Sequence, residues 1–293
     1  RSIAWVERVP YDPPPGDLSQ FAIRVLDVDT RVAERYFPAH RFEDISNLYP
    51  VAITARWFVL TGDQQGGGPI YQVVVNRQTG ETRKTPGRFL QLANGSFHET
   101  VIVGDAVLAA TTNPQPGGFS TPQTEIVRFD LTTLEWEVLT SFSGNVWRLS
   151  AGAGQLVWQQ PSGPGSEIKS MDLATREITT RLSQPAPENT SESSDLGTLA
   201  GVTTAGELVL GRAYSSDIGF HVDSNYSAAL MDPAGLRTQL FSYSGTADGL
   251  QPWYATGSVA YVIDNSILWR DPYTGAWYLR PAGSEAVRPI DMF

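Results

Sequence analysis

The chain has 293 residues, 41% of them hydrophobic and 18% charged, against a typical charged fraction of about 25%. Its 31 Asp and Glu against 21 Lys and Arg leave a net charge of −10, which repels phosphate backbones, so nucleic acid is not expected as a partner. There is no cysteine, which excludes a disulfide scaffold and thiolate metal sites, and no apolar run approaches the roughly 18 residues of a spanning helix.

Taken in order, residues 3–9, 21–26 and 32–37 read as strands, with the turn Asp27-Val-Asp-Thr30 between the last two. Strands at 49–54, 57–61, 70–75 and 81–85 follow, the last pair joined by Asn76-Arg-Gln-Thr79. The next set is 98–103, 106–111, 125–129 and 136–142, around Asp130-Leu-Thr-Thr133. Then come 146–150, 155–159, 167–171 and 177–182, around Asp172-Leu-Ala-Thr175. Residues 197–203, 207–212, 226–231 and 236–243 surround Asp232-Pro-Ala-Gly235, and 252–256, 258–263, 267–270 and 276–280 surround Asp271-Pro-Tyr-Thr274. Each Asp or Asn closes its turn by accepting hydrogen bonds from backbone N–H groups ahead of it. No helical stripe of period 3.6 competes with the strand pattern.

The six turn copies lie 49, 54, 42, 60 and 39 residues apart. A four-stranded unit repeating at about 40 to 50 residues is the signature of a propeller blade. The expected fold is therefore all-β, one domain over residues 1–293, a six-bladed β-propeller of four-stranded antiparallel blades, with seven blades as the alternative count. Inner strands rich in Ala and Gly, such as Val51-Ala-Ile-Thr-Ala55 and Leu199-Ala-Gly-Val-Thr203, suit crowding about a central channel. The first blade lacks an inner strand of its own. Residues 285–293 are expected to supply it, closing the ring by pairing the two ends of the chain.

At the turn copies the chain resembles the six-bladed propellers of the TolB and PD40 type, whose repeats carry a similar strand, Asp-Leu-x-Thr-Gly turn, strand pattern. It lacks that family's Ser-Pro-Asp-Gly turn between the first two strands of a blade; Ala151-Gly-Ala-Gly154 stands there instead.

Function is expected on the blade face that carries the long loops, at 11–19, 38–47, 62–68, 86–97, 113–123, 183–195, 215–225 and 244–249. The polar groups singled out there are His40, Glu43 and Asp44 in one loop and Asp217, His221 and Asp223 in another. Two carboxylates and an imidazole suit a divalent metal or a general base, and equally a solvated loop. No cofactor is expected; a divalent metal such as calcium is the one these carboxylates would accept, and Asp223-Ser-Asn225 has the alternation of a calcium loop's first ligands without its Gly and Glu. Asp27 and Asp29 read as turn residues, His98 as a core-edge residue and Gly66-Gly-Gly68 as a loop without the Lys-Ser/Thr of a phosphate cradle. No Gly-x-Ser-x-Gly, His-Glu-x-x-His or cysteine nucleophile is present, so no catalytic residue is assigned. Asn94, Asn189 and Asn225 open glycosylation sequons.

These features point to a non-enzymatic binding or assembly propeller that engages a protein partner, or a glycan, through its long-loop face. The alternative is a metal-assisted hydrolase or lactonase-like enzyme with a site at the channel mouth, as other six-bladed propellers carry. The opening on Arg1 rather than Met suggests processing from a precursor and an extracytoplasmic location, periplasmic or secreted.

Overall fold

The computed structural model describes residues 2–8, 21–27, 32–36, 47–63, 70–86, 100–113, 123–146, 148–184, 198–218, 221–247, 260–263, 266–271, 274, 276–281 and 284–290. All regular structure among them is strand, and the chain divides into two compact units, Arg1–Ser143 and Gly144–Phe293.

The first unit holds three antiparallel sheets. One has three strands, β1 (Ser2–Arg8), β2 (Phe21–Asp27) and β3 (Ala33–Tyr36). The second runs β4 (Asn47–Ile53), β5 (Trp57–Asp63), β6 (Ile70–Asn76), β7 (Thr82–Pro86). The third runs β8 (Thr100–Val103), β9 (Ala106–Asn113), β10 (Gln123–Asp130), β11 (Trp136–Ser143). The second unit also holds three sheets, each four-stranded and in chain order. They are β12 (Arg148–Gly152) to β15 (Ile178–Gln184), through β13 (Gln155–Ser162) and β14 (Gly165–Asp172); β16 (Thr198–Val202) to β19 (Arg237–Ala247), through β17 (Leu208–Ile218) and β18 (His221–Met231); and β20 (Ala260–Ile263) to β23 (Arg288–Ile290), through β21 (Ser266–Arg270) and β22 (Trp277–Arg280).

The repeated turns hold the expected chemistry. Asp130 Oδ1 accepts from the N–H groups of Thr132 and Thr133 at 2.9 and 3.0 Å, and Asp172 Oδ1 from those of Ala174 and Thr175 at 2.9 and 2.8 Å. Asn76 makes the same pair to Gln78 and Thr79, and Asp271 accepts from the N–H of Thr274. The Thr hydroxyl then accepts from the N–H two residues on, at Glu81, Glu135, Glu177 and Ala276. The copy at Asp232 differs: Asp232 Oδ1 accepts from the N–H of Leu236 instead.

Three blades also share a bulge. The register between third and fourth strands shifts at Ile126/Val127, Ile168/Lys169 and Ala228/Ala229, in each case four residues before the start of the next turn copy. The residue skipped on the outer strand is Leu139, Arg181 or Leu240. A bulge breaks the run of free edge groups and re-aims one side chain. Leu240 packs on the neighbouring cluster of Phe241, Ile267 and Trp269, and Arg181 donates to the carbonyl of Gly206 in the next sheet at 3.2 Å.

The inner strands are small for a steric reason. A Cβ on Gly152 would lie 2.6 Å from the carbonyl oxygen of Thr203, and one on Gly201 would lie 2.6 Å from Cγ2 of Val262. The second and third strands carry the core: Trp57 to Leu60, Val73 to Val75, Val107, Leu108, Ile126, Val127, Phe129, Leu156 to Trp158, Ile168 and Met171 are all buried.

Two expectations need correction. The C-terminal strand does not serve as the first sheet's inner strand; Arg288–Ile290 pairs with β22, where Ile290 lies opposite Trp277 and Pro289 opposite Tyr278. The short connection after Arg280 folds the chain straight back, and proline sits on the outer strand, where a missing N–H costs no ladder bond. The first sheet keeps three strands among the described residues. Second, residues 215–225 are not a loop but the end of a paired hairpin.

Candidate functional site

The hairpin β17–β18 and the strand β19 are the longest elements described, 11 residues each, where the other described strands have 3 to 8. Pairing is continuous from Leu208↔Met231 to Ile218↔His221. On the other side β19 follows β18 as far as Val222↔Ala247. Among the described residues the pairing of β16 reaches Thr198↔Gly211. From Arg212 onward the described strands form a three-stranded ribbon, about 23 Å long for the seven residues to Ile218.

Hydrophobic burial fixes the root of this ribbon. Ala228, Leu230 and Phe241 are buried with Ala260, Ile267 and Trp269 of the next sheet. Phe241 stacks on Trp269 at 5.0 Å, and Trp269 on Tyr278 at 5.9 Å. The indole N–H of Trp269 donates to the Tyr243 hydroxyl at 3.4 Å, and burial raises the Tyr243 pKa. Above that root the composition changes: Tyr214, Ser215, Ser216, Ser224, Asn225 and Tyr226 alternate with few charges. Tyr, Ser and Asn are the residues that make adaptable protein contacts at low entropic cost.

The structure places Asp217 opposite Val222, Asp223 opposite Ser216 and Thr246, and His221 opposite Ile218. With the two-residue alternation of a strand, positions 221 and 223 share one face of the ribbon and position 217 belongs to the other. His40, Glu43 and Asp44 lie outside the described residues, as do Asp29, Gly66 to Gly68, Asn94, His98 and Asn189. Asn225 stands in the central strand, between Tyr214 and Ser244. Among the described residues, no three His, Asp or Glu side chains group as a metal site. No described helix is long and apolar enough to cross a membrane.

The ribbon is what sequence reasoning missed. Its signal in the sequence is Gly219-Phe220 between the two six-residue runs Ala213 to Ile218 and His221 to Tyr226, a Gly-X hairpin pattern.

No family model matches the sequence, and no curated protein matches it either. Solved structures do. TolB from Acinetobacter baumannii is 15% identical with a TM-score of 0.52, covering 99% of this chain and 64% of its own, so this chain spans under two thirds of the TolB length. The β-propeller domain of the Trilobed protease from Pyrococcus furiosus is 12% identical, with a TM-score of 0.43 and 84% of each chain covered. An oligogalacturonate lyase in complex with manganese is 11% identical, with a TM-score of 0.44, covering 92% of this chain and 72% of that one. At such identities the likeness is one of fold. Its four-stranded antiparallel sheets and the TolB likeness make this chain an all-β propeller protein with TolB-like repeats.

Proposed function

We infer that this chain is a non-enzymatic binding propeller that holds a protein partner against the β17–β19 ribbon. One observation supports it above the others: among the described residues, one sheet is extended by a Tyr- and Ser-rich ribbon rooted in a buried aromatic cluster. A rigid root lowers the ordering cost of binding, since the contact strands are already paired before the partner arrives. Asp217, His221 and Asp223 supply charge and hydrogen bonding near the ribbon's end, and His40, Glu43 and Asp44 belong to the same proposal. An extracytoplasmic location goes with it, and fractionation of the native organism checks that part.

The test compares the whole chain with a variant whose hairpin is cut back between Arg212 and Ser227 and closed by Asn-Gly. Both are used as bait in native extract. The whole chain is expected to retain a protein that the shortened one releases, with melting temperatures alike. A monomer that retains no protein in either form removes the support for this function. Retention of an oligosaccharide in place of a protein makes the ligand a glycan.

A further inference from the structure

We propose that Gln159 is a positioning residue of the binding surface: a buried chain of hydrogen bonds running through it holds the base of the ribbon from the preceding sheet. This rests on the ribbon's being the binding surface and adds what sets its pose. The chain begins at the ribbon's base, where Thr198↔Gly211 and Leu199↔Leu210 are the last described pairs between β16 and β17. A register shift separates these two pairs from Gly201↔Val209 and Val202↔Leu208. A bulge disrupts the ladder locally, and the preceding sheet supplies acceptors on both sides of the break. The Leu199 N–H donates to Gln159 Oε1 at 2.9 Å, and the Val202 N–H to Ser150 Oγ at 3.0 Å. The Gln159 amide is itself held. Its Nε2 donates to Ser166 Oγ at 3.1 Å, and the Ser166 hydroxyl donates to Gln184 Oε1 at 2.9 Å. Gln159, Ser166, Gln184 and Leu199 are all buried, and a satisfied buried network of this kind rigidifies and specifies one arrangement.

The repeat shows that this amide is not needed to build a blade. Gln159 lies four residues after Gln155, the partner of the turn residue Asp172. The same place on β5, four after the partner of Asn76, holds Thr61, and on β9, four after the partner of Asp130, holds Ala110. Thr61 bonds within its own sheet, to Gln72 and to the Tyr71 carbonyl, and Ala110 has no polar side chain. The sheets that follow these two have second and third strands of 8 residues, whereas the sheet that follows Gln159 has strands of 11. The long amide thus stands where the next sheet carries the ribbon. On the ribbon's other side Trp269 of the following sheet bonds to Tyr243, so the base is held from both neighbours.

Hydrogen exchange, resolved by residue, is measured on the whole chain as wild type, Gln159→Met and Ser166→Ala. Methionine keeps the length of the side chain and removes the acceptor. Alanine at 166 keeps the acceptor and frees the amide that carries it. In Q159M the amides of Leu199 and of Val222 to Tyr226, in the ribbon's central strand, are expected to exchange at least about tenfold faster, with Val209 and Leu230 in the body of the sheet unchanged. S166A is expected to move the same amides in the same direction by less, and it carries the test if Q159M does not fold. Acceleration confined to Leu199 overturns the proposal, because the bond then has a local role only. Equal acceleration at Val209 and Leu230 overturns it too, because the whole sheet is then loosened and the ribbon is not singled out. Both outcomes are read in the free chain and leave the ribbon as the binding surface. A ribbon that retains no partner in native extract overturns the proposed function and this positioning role together, whatever the exchange rates.

Discussion

The indole N–H of Trp57 donates to Asp105 Oδ1 at 2.7 Å, joining the second strand of one sheet to the tight turn of the next. Trp57 is 3% exposed, so its N–H has no water to replace this acceptor. The Arg56 guanidinium also reaches Asp105, at 3.1 Å, but both side chains are 46% exposed and that ion pair contributes little. Asp105→Ala strands a buried donor and is expected to cost about 1–3 kcal/mol. Asp105→Asn keeps the acceptor and should recover most of that, and Arg56→Ala should cost under about 1 kcal/mol. Urea titration of the three variants checks the order. Equal losses for Ala and Asn at 105 would mean that charge, not the indole bond, is what matters.

The fourth residue after the turn Asp is glycine in the TolB-type pattern, but here four of the six copies carry a side chain there, at Arg31, Leu134, Arg176 and Leu236. Leu134 and Arg176 adopt φ of 63° and 64°, beside 70° for Gly80 at the equivalent place. An L-residue in this region costs on the order of 1 kcal/mol. Arg176→Gly is therefore expected to stabilise by about 0.5–1 kcal/mol. Leu134→Gly relieves the same strain but removes a side chain packed on the buried cluster that includes Phe129 and Leu131, so it should destabilise. Opposite signs of the shift in urea midpoint are the outcome to look for.

Both turn carboxylates have lowered pKa values. The Thr133 N–H, with that of Thr132 and the Arg128 guanidinium, holds Asp130 below the usual carboxylate range despite burial. The N–H groups of Thr175 and Ala174 do the same for Asp172. A carboxyl depressed in the folded state stabilises above its unfolded pKa, near about 4, and loses that contribution as pH falls through the folded value. The double variant Asp130→Asn, Asp172→Asn keeps the acceptor oxygens without the charge. Its melting temperature should fall less than the wild type's between about pH 5 and about pH 2. Parallel curves would show that these turns take no part in acid unfolding.

The blades were legible in the sequence because their organising contact is local: Asp130 and Asp172 bond to N–H groups two and three residues ahead. The bulges were not, since a register shift depends on two strands at once and leaves no mark on either alone. The ribbon was hidden by its own composition. Ser215, Ser216, Ser224 and Asn225 read as loop because nothing apolar alternates there, yet backbone pairing needs no apolar face once Phe241 and Trp269 anchor the root. The C-terminal segment was misplaced because hydropathy does not say which edge a strand joins; the ladder Trp269, Tyr278, Pro289 does.

Crowding of the inner strands gives a prediction that separates two kinds of obstacle. At Gly201 the added Cβ meets Cγ2 and Cβ of Val262, at 2.6 and 2.8 Å, which belong to a side chain. At Gly152 it meets the carbonyl oxygens of Thr203 and Val202, at 2.6 and 2.9 Å, which belong to backbone. Alanine at either position is overpacked and should cost about 1–3 kcal/mol. Only the first has a remedy. Val262→Ala removes the nearer obstacle, Cγ2, and although it loses its own burial and keeps its Cβ at 2.8 Å, it relieves part of the clash of a methyl group at 201. The pair Gly201→Ala, Val262→Ala should therefore be more stable than the sum of the single changes, with a coupling of about 0.5–3 kcal/mol. The pair Gly152→Ala, Val262→Ala should be additive, because the atoms nearest the space above Gly152 are backbone atoms of Val202 and Thr203. Thermal unfolding of the five variants measures both couplings. A coupling at 152 equal to that at 201 would mean that the inner strands shift together as one layer, and that no single contact limits their spacing.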